Sequence, residues 1–125
     1  MSLAILSLFE AVRTVELAGE RVDREVLRRA IEAAAKVYWS GVPPDIREGM
    51  RASFEVLARA ITSAEITMEE EEVAIFAARE LLEAERSFGI DIPAVIEAID
   101  RELRSAGLGG LADLTMLLLS AKLRT

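Results

Sequence analysis

Carboxylates are the residues that type and spacing place best for chemistry in this chain. Glu69, Glu70, Glu71 and Glu72 stand consecutively before an apolar run, and two further pairs, Glu80 with Glu83 and Glu97 with Asp100, repeat a three-residue spacing. Residues three apart on a helix share a face, so each pair offers its oxygens in one direction. Oxygen sets of that kind hold hard cations such as magnesium or manganese, which bridge to phosphates. The inventory leaves few other routes, because the sequence contains no Cys, His, Asn or Gln. Lack of Cys excludes thiol catalysis, zinc ribbons and iron–sulfur ligation. Lack of His excludes the usual general base, the serine triad and nearly all zinc and haem sites.

Local helix physics offers a second use for the glutamate run. Thr67 followed by Glu70 has the spacing of a capping box, in which hydroxyl and carboxylate satisfy backbone N–H groups at a helix start. Glu69, Glu70 and Glu71 then fill the first turn, where each negative charge gains about 0.3–1 kcal/mol at the positive end of the helix dipole. Glu72 shares a face with Arg79, Glu83 and Arg86, and so opens a stripe of alternating charge. This reading takes the run as structural and assigns no catalytic residue, metal ligand or cofactor. The alternative rests on a resemblance. Glu69-x-x-Glu72 or Glu80-x-x-Glu83, followed by Glu97-x-x-Asp100, is similar to the acidic pairs of the all-α nucleoside-triphosphate pyrophosphatases of the MazG-like group. That resemblance implies a magnesium- or manganese-dependent hydrolase with paired carboxylates on facing helices.

Punctuation divides the chain into about six helices in a single all-α domain over 1–125. The first spans about 2–18 and stops at Gly19. The second starts behind the N-cap Asp23 and runs to Ser40, before Gly41. Pro44 suits the first turn of a helix over 44–61, and the others cover about 68–88 ending at Gly89, 93–105 opening on Pro93, and 110–124 after "GLGG". No alternation of apolar and polar residues is sustained, so no strand is expected.

Faces follow from placing residues at 100° intervals. In the second helix Val26, Leu27, Ala30, Ala34, Val37 and Tyr38 form an apolar stripe opposite Arg24, Glu25, Arg28, Arg29, Glu32 and Lys36. In the third, Ile46, Met50, Phe54, Leu57 and Ile61 face inward. The last helix is apolar almost all round, through Leu111, Leu114, Leu117, Leu118, Leu119 and Leu123. It requires cover on every side, from its own neighbours or from a second subunit. Trp39 projects from the polar side of the second helix. It serves either as an interface anchor or as a side chain covered by the "GVPP" break and the helix after it. Trp39, Leu111, Leu114 and Leu118 are accordingly the expected interface residues of a homodimer.

Charge narrows the partners. The net charge is −7; residues 1–62 carry nine basic and nine acidic side chains, against six and thirteen in 63–125. Nucleic acid is disfavoured, since phosphate binding draws on clustered positive charge. The one local basic group, Arg21, Arg24, Arg28 and Arg29, is interleaved with Glu25 and Glu32. The most apolar run, 114–123, is about half the roughly 20 residues of a membrane span, and the N-terminus lacks the pattern of a signal peptide. A soluble, cytoplasmic protein is expected. The missing amides and thiols, with dense charge, resemble the composition of a protein that works hot. The reading is a non-catalytic interaction or assembly subunit that forms a homo-oligomer.

Overall fold

The computed structural model describes residues 2–63, 67–88 and 90–124. Among them are six helices and no strand: α1 (Ser2–Leu17), α2 (Arg24–Ser40), α3 (Pro44–Thr62), α4 (Met68–Glu85), α5 (Ile92–Ser105) and α6 (Gly109–Leu123). None is long and apolar enough to cross a membrane.

Several helix ends have an identifiable chemical cause. The Asp23, Thr67 and Asp91 side chains accept hydrogen bonds from the N–H groups of Glu25 (2.9 Å), Glu70 (3.1 Å) and Ala94 (3.0 Å). Each thereby satisfies one of the donors that a helix start leaves without a partner. Pro44 and Pro93 occupy first-turn positions of α3 and α5, where the missing N–H costs nothing. Helices α1 and α5 close with glycine in the left-handed region, Gly19 at φ 98° and Gly107 at φ 79°. After α5 the Leu108 N–H reaches the Leu103 carbonyl at 2.9 Å and the Gly107 N–H reaches that of Arg104 at 3.1 Å. That pair of bonds defines a Schellman closure.

Helix α4 is shorter than its sequence suggests. Gly89 lies outside the described residues, but the helix already ends at Glu85. Tight turns follow, in which the Ser87 and Phe88 N–H groups bond the carbonyls of Ala84 and Glu85. Phe88 is thereby carried back against the core. The capping box at its start forms only in part: Glu70 receives the Ser63 hydroxyl instead of returning to Thr67.

Packing arranges the helices as a closed ring. The main partners are α2 with α5, α3 with α4 and α1 with α6, linked by α1 on α4, α2 on α3 and α5 on α6. Helix α1 is the most enclosed member: Ala4, Ile5, Leu8, Phe9, Ala11 and Val12 are all buried. They meet Leu27, Leu57, Ile61, Leu81, Val95 and Leu103 in a continuous core, where fully burying each large side chain is worth about 1.5–3 kcal/mol. Helix α6 covers one flank only. Leu111, Ala112, Thr115 and Leu119 are buried, while Leu117 is 67% and Leu123 63% exposed.

Candidate functional site

The acidic pairs do not converge. Glu71 is ion-paired with Arg13 of α1, Glu70 holds Ser63, and Glu69 and Glu72 are exposed. On α5, Glu97 binds Arg101 at 2.8 Å, while Arg104 bridges Asp100 at 2.9 Å and Asp113 at 2.6 Å. These carboxylates raise the pKa of Arg104, Asp113 first. Helix α4 packs mainly on α3 and α1, and α5 mainly on α2 and α6, so the pairs lie on helices with different principal partners. Among the described residues no three His, Cys, Asp or Glu side chains group as a metal site would require.

Two members of the basic group, Arg24 and Arg28, are likewise salt-bridged. Arg28 pairs with Glu25 and, at 2.6 Å, with Glu32, which pushes the guanidinium pKa up and that of Glu25 down. Arg24 binds Glu16 of α1 and the Ser63 carbonyl.

The expected interface residues occupy three kinds of environment. Trp39 is half-buried against its own chain, edge-on to Phe54 of α3 at 5.4 Å and to Tyr38 at 4.8 Å. The break after it is fastened by Arg47, which donates to the Trp39 carbonyl at 3.0 Å and the Val42 carbonyl at 3.2 Å. Arg51 lies over the indole at 6.0 Å. Leu111 is buried inside the chain, and Leu114 and Leu118 are half-buried; the α6 leucines that face outward are Leu117 and Leu123.

Two features escape the periodicity argument. The first is an apolar strip on the outside of the α3–α4 hairpin. Val56 and Val73 line one shallow hollow between the helices, with Arg59, Ser63, Glu69 and Glu70 around it. Phe76, one turn beyond Val73, is 67% exposed, and Val73 is 49% exposed. Phe76 stands on the charged face of α4, between Glu72, Arg79 and Glu80. An aromatic residue interrupting a charge stripe is the signal the sequence carries for it.

The second feature is a buried polar pair. Glu85 falls on the same stripe as Ala74, Ala78 and Leu81 and is only 8% exposed. A glutamate in phase with an apolar stripe marks it in the sequence. Opposite it lies the Tyr38 hydroxyl, wholly buried. Burial raises the phenol pKa, and the Glu85 charge and a hydrogen bond towards its carboxylate add to the shift. That contact is looser than a well-formed hydrogen bond, and the hydroxyl meets no other protein partner among the described residues. Glu85 also borders a cavity of about 250 Å³ whose other walls are almost entirely apolar.

Comparison with known protein families, curated proteins and solved structures finds no match for the chain.

Proposed function

We propose that this protein is a non-catalytic interaction or assembly subunit that acts as a homodimer, with the outer face of the α3–α4 hairpin as its contact. The observation that carries this reading is the exposed Val56, Val73 and Phe76 strip, at 37%, 49% and 67% exposure, on two helices packed against each other. Large aromatic side chains in such positions are the usual anchors of protein contacts. Both signs of charge border the strip: Arg59 and Arg79, with Glu69, Glu72 and Glu80. A surface carrying both signs is suited to its own copy, because a twofold axis sets each residue of one subunit against its counterpart's neighbours. A strongly basic partner would call for the carboxylates alone. The composition, free of Asn, Gln and Cys and dense in charge, supports a thermally robust protein.

Sedimentation velocity over a wide concentration range tests the proposal, with Phe76→Glu as the comparison and circular dichroism as the control for folding. A dimer that the substitution converts to monomer, with helix content unchanged, is the expected result. A wild-type protein that stays monomeric throughout, or a dimer indifferent to the substitution, would remove this face as the contact.

A further inference from the structure

Two neighbouring hollows form one groove along α4. The inner one, of about 250 Å³, is almost entirely apolar, with Leu3, Leu82, Phe88, Ile96 and Leu119 among its walls. The outer one lies among α1, α4 and α6 and shares Leu3, Leu82, Arg86 and Leu123 with the first, so the two are continuous. Glu85 borders the inner hollow but is buried and already engaged with Tyr38. The charges open to a bound molecule are therefore those of the outer hollow: Glu10, Arg79, Arg86 and Lys122. Lys122 and Glu10 hold each other at 2.7 Å. Arg79 and Arg86 remain, both exposed and neither ion-paired among the described residues. Seven residues apart on α4, they stand two turns apart on one face. Glu80 and Glu83, which lie between them in the chain, line neither hollow. In a chain of net charge −7, the rim of this apolar groove is a local reversal of sign.

We infer that the groove binds an alkyl carboxylate of medium chain length, its hydrocarbon chain in the inner hollow and its head group at Arg86, where the two hollows meet. The chain gains by leaving water for an apolar lining. Its length follows from volume: at about 30 Å³ for each water-sized group, a cavity of about 250 Å³ holds roughly eight non-hydrogen atoms. The head follows from the rim. A guanidinium presents a planar fork of donors that matches a carboxylate, and Arg79 adds a second positive charge on the same side. An ammonium head would meet both arginines with only Glu10 to offset them, and Glu10 is already held by Lys122. The inference does not depend on the dimer contact, since neither hollow shares a lining residue with the one between α3 and α4.

Calorimetric titration of the wild-type protein with octanoate, n-octylammonium and 1-octanol, at neutral pH and low ionic strength, provides the test. Octanoate is expected to bind once per chain with a dissociation constant below about 1 mM. It should bind about fivefold or more tighter than octylammonium, a preference that added salt reduces. An Arg79→Gln/Arg86→Gln variant should lose that preference and keep its affinity for 1-octanol. Ile96→Phe, which fills the inner hollow and leaves both arginines in place, should abolish binding of octanoate. Octylammonium binding as tightly as octanoate, no saturable binding of octanoate, or a preference that survives loss of both arginines would each overturn the inference. The ranking of the three probes on the wild type decides the matter even if a variant fails to fold.

Discussion

The chain contains one tyrosine, so the ionisation of Tyr38 can be followed in the intact protein. Its ring is wholly buried, stacked at 6.3 Å on Phe54 and edge-on to Trp39. Burial in the first place, and then the nearby Glu85 charge, raise the phenol pKa above the ordinary value of 10. The folded state therefore holds this proton after the unfolded state has released it. The associated stability is complete below about pH 10 and is lost progressively above it, at about 1.4 kcal/mol for each pH unit. Between pH 10 and 12 the loss comes to about 2.3 kcal/mol, a large share of the roughly 5–15 kcal/mol typical of a domain. Urea unfolding of the wild type and Tyr38→Phe across this range measures it, because every other group titrates alike in both proteins. The wild type should lose stability more steeply by one proton, and tyrosinate absorbance should appear only as the helices melt. Tyrosinate forming near pH 10 with helicity intact, or parallel stability profiles, would refute the burial of the phenol against Glu85.

Glycines in two conformations should respond in opposite directions to alanine. Gly107 holds φ 79°, so Gly107→Ala should cost about 1–2 kcal/mol in urea denaturation through backbone strain alone; an unchanged midpoint would contradict the left-handed closure of α5. Gly49 lies inside α3, and a Cβ added there meets nothing within 4 Å. Gly49→Ala should raise stability by about 0.5–1 kcal/mol, and a loss would show that this position is more crowded than its exposure indicates. Calorimetric titration of metal-stripped protein with manganese should reveal no stoichiometric site tighter than about 100 μM. A tighter site lost in a Glu72→Gln/Glu97→Gln variant would instead favour the pyrophosphatase alternative.

Much of the fold was legible because local signals and tertiary packing agree. The caps at Asp23 and Thr67, the prolines at 44 and 93 and the glycines at 19 and 107 sit at helix boundaries. The stripe through Val26, Leu27, Ala30, Ala34 and Tyr38 is buried as its spacing implies. What periodicity could not convey is which neighbour covers which face. Trp39 lies off its helix's apolar stripe, yet α3 crosses close enough to receive it on Phe54. Helix α6 is apolar all round, but α1 is the more enclosed, and Leu117 and Leu123 remain outside. The end of α4 moved because turns after Glu85 bring Phe88 onto the core, a tertiary gain that the run of good helix formers up to Arg86 does not announce. Glu85 and Phe76 are local inconsistencies, a charge on an apolar stripe and an aromatic residue on a charged one. Such breaks in pattern are where function is most often located.

The central claim is that two copies meet through the α3–α4 face, and the absence of cysteine allows a label to be placed at one chosen position. Pyrene attached through Glu80→Cys, beside Phe76, should give excimer fluorescence in the concentrated protein, whereas pyrene attached through Glu97→Cys on α5 should give monomer emission only. No excimer from position 80, or an excimer from position 97 alone, would contradict the proposed contact.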